Sequence, residues 1–154
     1  MKIRKATIKD FNVLLKLKLE SKEEERRFSE ELIPIKKAKQ HYKEYLRNDL
    51  KSEWRAIFIA EENNKMVGLI VGKIYRTLRV AGYIRCGYIS NLYVKKGFRK
   101  RGIAQKLIKE LVGWFKRKKA KKVTLDLYEK NIKAINLYQK LKFKKYFVKM
   151  TKRI

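Results

Sequence analysis

Asn91 to Ala104 reads NLYVKKGFRKRGIA, and three kinds of local structure meet in it. A strand ends at Leu92-Tyr93-Val94, a basic loop containing Gly97 follows, and an amphipathic helix opens at Gly102. The opening of a helix leaves backbone N–H groups unpaired at the positive end of its dipole. With Arg99, Lys100 and Arg101 beside it and no side chain at Gly102, this opening suits a pyrophosphate. Basic residues beside a glycine also occur in plain helix-entry loops, so the stretch alone points to a phosphate site and no further.

Working outward, Ile3 to Ala6 reads as a strand, and Thr7 with Asp10 makes a capping-box-like start to a helix bearing Phe11, Leu14, Leu15 and Leu19. Helical character continues from Glu20 to Arg27, and Pro34 interrupts it. A second helix covers Ile35 to Leu50 with Ala38, Tyr42, Tyr45 and Leu46 on one side. Trp54 to Ala60 and Met66 to Tyr75 are strand-rich runs, joined through Asn63 and Asn64, which tolerate the left-handed conformations of a hairpin turn. A turn near Val80 to Gly82 leads into a third meander strand, Tyr83 to Val94.

Beyond Gly97, Ala104, Leu107, Ile108, Leu111, Val112 and Phe115 recur at helical spacing. Val123 to Tyr128 returns to strand, Asn131 to Leu141 is a further amphipathic helix, and Lys145 to Met150 reads as a last strand. The order βααβββαβαβ joins a hairpin meander to a strand–helix–strand crossover. That predicts an α/β (α+β) fold with a mixed, mostly antiparallel central sheet flanked by helices, in one domain over residues 1–154.

The 154 residues carry 43 Lys+Arg against 15 Asp+Glu, a formal charge of +28. Such a potential predicts non-specific binding of polyanions. The clusters Lys116 to Lys122 and Lys149 to Arg153 keep open a basic nucleic-acid- or ribonucleoprotein-binding protein, although nothing matches an RNA or DNA motif. Cys86 is the only cysteine, which excludes an intrachain disulfide and a cysteine zinc cluster and agrees with a reducing, cytoplasmic setting. No apolar run approaches the roughly 20 residues of a membrane span, and Met1 to Lys5 leads into no signal-peptide core. His41 has no companions at metal-ligand spacing, so no metal is expected. Monomer and homodimer remain open.

In RKRGIA, Arg99, Gly102 and Ala104 match the pattern Arg/Gln-x-x-Gly-x-Gly/Ala, and here the chain resembles the GNAT N-acetyltransferase family. The run EKNIKAINLYQKLKF, Glu129 to Phe143, is similar to the family's second motif, with Asn131, Ala134, Leu137 and Tyr138 in register. The resemblance implies an enzyme that moves the acetyl group of acetyl-CoA to a primary amine. By that resemblance the backbone of Leu92, Tyr93 and Val94 holds the pantetheine arm. Arg99, Lys100, Arg101, Gly102, Ile103 and Ala104 hold the pyrophosphate, Asn131 contacts the cofactor, and Tyr138 donates a proton to the departing thiolate. Two departures stand out. Lys142 replaces the glycine that usually precedes the motif's Phe, and the short chain after Phe143 reduces the customary final pair of strands to one.

The family implies direct attack without an acyl-enzyme, and Cys86, inside a strand and with no His partner, reads as a small apolar residue. The strand Tyr83 to Val94 has no Asp or Glu to act as base; Asp126, Glu129, Tyr88 and Ser90 remain, and a water held by Tyr88 and Ser90 is the candidate. An α-amine of pKa near ~8 is roughly a tenth neutral at pH 7, whereas a lysine near ~10.4 is almost wholly protonated. A site without a strong base therefore favours a protein or peptide N-terminus as acceptor. The remaining alternative is a CoA-binding sensor without turnover.

Overall fold

Asn63 and Asn64 turn the chain with φ of 49° and 58°. Two consecutive left-handed residues suit a tight hairpin, and they join β2 (Arg55–Glu62) to β3 (Lys65–Arg79) in antiparallel register. The structure, a computed structural model, describes residues 1–28, 35–80, 82–152 and 154, and at 35–37 the backbone alone. Gly82, at φ 107°, begins β4 (Gly82–Val94), which pairs antiparallel with β3 from Gly82 to Val94. With β1 (Lys2–Lys5) on β2 and β5 (Lys122–Thr124) parallel to β4, the sheet has the order β1-β2-β3-β4-β5.

Side chains alternate across this sheet, and both faces are covered. Ala56, Phe58 and Ala60 of β2 enter the cluster with α3 (Ile103–Arg117) and Tyr138 of α4 (Ile132–Lys140). Ile57 and Ile59 enter the cluster with α1 (Phe11–Glu25) and α2 (Ile35–Lys51). Double coverage explains why β2 and β3 read as nearly continuous apolar runs. α3 lies very close to the sheet: a Cβ on Gly87 would stand 2.6 Å from Cγ of Phe115. Only glycine permits that approach.

The first turn of the helical region matches the Thr7/Asp10 reading. The Thr7 N–H donates to Oδ2 of Asp10 at 2.8 Å and opens a 3₁₀ turn, Ile8–Asp10, before α1. Arg4 also grips Asp10, at 2.7 Å, and holds its carboxyl down at about 2.

Three expectations need correction. Tyr45 is exposed, because it lies about 100° around the helix from buried Leu46. β5 stops at Thr124 instead of running to Tyr128, since the chain leaves β4 there. Lys145–Met150 forms no strand. Its apolar residues Tyr146, Phe147 and Val148 are consecutive, so a pleat would send them to opposite faces, and all three are exposed. The element order is therefore the expected one without its last strand. Pro34 and Ala81 lie outside the described residues.

Candidate active site

β4 and β5 lie side by side only where Cys86–Tyr88 meet Lys122–Thr124. β4 then continues to Val94 with no β5 partner, so a gap opens between Ile89–Val94 and the chain after Thr124. A bulge marks the start of this divergence: Val71 pairs with Asn91 and Gly72 with Ile89, which leaves Ser90 out of the ladder. At the closed end of the gap the Tyr88 hydroxyl donates to Oδ2 of Asp126 at 3.1 Å.

At the open end, Val94 leads through the basic loop to α3. Gly102 has φ 74°, in the left-handed region where a side chain is costly. The first backbone bond of α3 runs from the Lys106 N–H to the Gly102 carbonyl at 3.1 Å. The N–H groups of Ile103, Ala104 and Gln105 thus point out of the helix without intrahelical acceptors. A Cβ on Gly102 would meet no protein atom within 4 Å apart from its chain neighbours, so the chain is uncovered where α3 begins. An anionic diphosphate fits this opening, and Leu92, Tyr93 and Val94, paired with β3 on one side and without a β5 partner on the other, offer main-chain groups on that free side to an amide-bearing arm.

The three basic side chains of the loop have different partners. Arg99 donates from Nε to the Val94 carbonyl at 2.7 Å and from both Nη atoms to Glu24 of α1. Arg101 reaches Glu62 at 3.3 Å and lies over the Phe98 ring. Lys100, itself left-handed at φ 63°, is exposed and makes no ion pair among the described residues. Arg99 therefore braces the loop, whereas Lys100 stands exposed beside the helix start.

Tyr138 is buried in the same apolar cluster as Val94, Ile103 and Leu107, and its ring meets Phe143 edge-on at 5.3 Å. Burial raises its hydroxyl far above the ordinary tyrosine value, so it is a protonated donor at neutral pH. Asn131 caps α4, its Oδ1 accepting from the Ala134 N–H at 3.3 Å, which gives it a structural task at the helix start. The Ser90 hydroxyl donates to the Val71 carbonyl at 3.3 Å. Burial and then Asp126 push Tyr88 up to about 12, which makes it a poor proton acceptor near neutrality. The pair Tyr88 and Ser90 is thus engaged with Asp126 and Val71, not with each other.

Sequence reasoning missed the contribution of α1. Its run Glu20-Ser-Lys-Glu-Glu-Glu packs toward β4: Asn91 donates to the Ser21 hydroxyl at 3.0 Å, and Glu24 holds Arg99. Burial first, then Glu20 and Glu24, raise the Tyr93 hydroxyl, and Glu25 acts on Tyr88. Phe28, just past α1, stacks on Tyr128 at 6.2 Å. An acidic and aromatic rim therefore borders the gap in a chain of charge +28. The available signal was the four glutamates within six residues, Glu20 to Glu25, against that basic background.

A sheet that parts beside a helix start able to hold a diphosphate is the architecture of a CoA-dependent acyltransferase. Residues 19–143 match the model of the acetyltransferase (GNAT) family, and the chain belongs to that family. It is 29% identical over 110 residues to N-alpha-acetyltransferase 30 of Schizosaccharomyces pombe, covering 68% of this chain and 69% of that protein. It is 31% identical over 101 residues to an N-alpha-acetyltransferase of Saccharolobus solfataricus, covering 62% of this chain and 60% of the relative. A predicted acetyltransferase from Clostridium acetobutylicum, solved with acetyl-CoA, superposes with a TM-score of 0.77 at 23% identity, over 97% of this chain and 95% of that one. The protein is an N-acetyltransferase that uses acetyl-CoA. Among the described residues no helix is long and apolar enough to cross a membrane, and no three His, Cys, Asp or Glu side chains gather as a metal site.

Proposed function

We propose that the acceptor is the α-amino group of a protein or peptide N-terminus, which attacks the thioester directly. The observation that carries this reading is the set of carboxylates on the α1 side, where Glu24 is paired with Arg99 and Glu25 with Lys22 but Glu20 near Tyr93 is not, together with Asp126 at the Tyr88 hydroxyl. In a strongly basic chain a local group of carboxylates gathers ammonium ions. Glu20 makes no ion pair among the described residues and lies near Tyr93, so it is the carboxylate left to meet the incoming ammonium group, whose proton leaves to water. The neutral nitrogen then bonds to the acetyl carbon, the carbon–sulfur bond breaks and Tyr138 protonates the leaving sulfur, while the proton shed by the new amide nitrogen returns through water to the Tyr138 oxygen. An α-amine needs less help than a lysine, because its pKa is roughly two units lower. The names of the two relatives point the same way.

The test compares peptides of one lysine-containing sequence with free or blocked N-termini, following thiol release and the mass of the product. Acetylation confined to the free α-amine is expected. Equal rates on blocked peptides would overturn the assignment of the acceptor while leaving acetyl-CoA use intact.

A further inference from the structure

The two ends of the sheet differ in charge. Acidic residues are absent between Glu62 and Glu110, between Glu110 and Asp126, and after Glu129. The outer end of the β3–β4 ribbon, the loop from Lys116 to Lys122 and Tyr146 of the C-terminal segment fall in those intervals, as the loop before α3 also does, and they meet away from the gap beside Ile89–Val94. Arg76 and Arg85 face each other across the ribbon. Arg85 lies 4.9 Å from the centre of the Trp54 ring, and Lys118 Nζ lies 5.1 Å from the same ring. Trp54, Ile74, Tyr75, Arg76 and Arg85 line a cleft of about 270 Å³. Further along, Lys122 Nζ sits 4.5 Å over the Tyr146 ring, and the Tyr146 hydroxyl is held below its usual value by Lys122 and then Arg79.

Two features separate this end from an ordinary lysine-coated face. Unlike Arg99 and Arg101, none of Arg76, Arg79, Arg85 and Lys118 makes an ion pair among the described residues. Glu53, beside Trp54, is the one carboxylate in the Ser52–Trp54 connection. Aromatic planes are concentrated here too: of the five exposed aromatic side chains among the described residues, Trp54, Tyr83, Tyr146 and Phe147 lie at this end and only Tyr45 elsewhere. Unneutralised cations interleaved with exposed rings match an unpaired polynucleotide, whose phosphates meet the cations while its bases stack on rings and guanidinium planes. A duplex hides its base faces, and an acidic protein brings charge without stacking planes.

We propose that this end of the sheet is a binding surface for a single-stranded nucleic acid, separate from the acetyl-CoA gap and centred on Trp54, Arg76 and Arg85. It holds the enzyme on a polynucleotide while the opposite end is free for acetyl transfer. Net charge makes some polyanion binding inevitable, so the test must depend on position.

The experiment titrates the whole protein, saturated with CoA, into fluorescein-labelled oligouridylate of about 15 nucleotides near physiological salt. R76Q/R85Q is compared with K9Q/K16Q, which removes two exposed lysines from the α1 side. The ribbon variant should weaken binding roughly tenfold and flatten the log–log salt slope by about 1.4, from two lost phosphate contacts at ~0.7 each. The control should change affinity less than about twofold, and both variants should keep acetyl-CoA-dependent thiol release. Oligouridylate should also quench Trp54, since the second tryptophan, Trp114, is buried. W54A should weaken binding by a similar factor, and if it fails to fold, R76Q/R85Q carries the test. Equal losses in the two double variants would overturn the proposal, as would equal affinity for a duplex or for polyglutamate, or displacement of the oligonucleotide by CoA.

Discussion

Arg99, in the loop that precedes α3, is clasped by Glu24 of α1 through both Nη atoms, Nη1 at 3.0 Å from Oε1, while its Nε donates to the Val94 carbonyl at 2.7 Å. One side chain thus ties the cofactor loop to the end of β4 and to the helix that borders the acceptor side. The pair fixes the geometry of the loop that opens α3 relative to α1.

Glu24 is held below the ordinary carboxylate value, chiefly by Arg99. A depressed carboxylate contributes stability above its unfolded pKa, near ~4.3, and loses it as pH falls through its own lower value. Glu24→Gln should cost about 0.5–1 kcal/mol at pH 7, since Arg99 is partly exposed. Urea titrations of both proteins at pH 7 and pH 4 should show the difference shrinking at the acid end.

Gly102→Ala separates folding from binding. The left-handed φ of 74° costs an alanine about 1 kcal/mol, and its methyl meets no protein atom. If the diphosphate lies on the first α3 amides, the methyl stands beside it. Calorimetry should show acetyl-CoA affinity falling at least roughly tenfold, the equivalent of ~1.4 kcal/mol. Unchanged affinity with reduced stability would remove Gly102 from the diphosphate site.

Tyr138→Phe keeps the buried ring and deletes the proton donor. kcat should fall roughly 10²-fold with little change in KM for acetyl-CoA or in melting temperature. Because burial lifts the hydroxyl well above its usual range, the wild-type rate should show no alkaline loss from this group below about pH 10. A variant with wild-type kcat would leave Tyr138 a core residue only.

Gly87→Ala tests the seat of α3 on the sheet. With Phe115 Cγ 2.6 Å from the added methyl, ring or strand must move. A loss of about 1–3 kcal/mol is expected by chemical denaturation. A stability within ~0.5 kcal/mol of wild type would mean that α3 shifts freely, and with it the diphosphate site at its other end.

Much was legible along the chain because it rests on local rules. The Asn63–Asn64 turn, the Thr7–Asp10 start, the helical spacing from Ala104 to Phe115 and the glycine at the head of α3 each depend on neighbours a few residues away. The two family motifs are contiguous runs, so the family could be named before any contact was known.

Pairing across distance was not legible. Whether Arg99 meets a phosphate or Glu24, 75 residues earlier, depends on how α1 packs against β4. The acidic rim beside Tyr88 and Tyr93, and the gathering of Trp54, Arg85 and Lys118 at the far end, arise in the same way. The Lys145–Met150 run shows the limit from the other side: its composition favours a strand, but a strand exists only where another edge accepts its hydrogen bonds. By itself, then, the sequence determined the order of elements as far as α4, the family and the cosubstrate, because these follow from periodicity and short motifs. Tertiary structure alone decided which charges are neutralised and which stand free, because Coulomb interactions depend on distance in space and not along the chain.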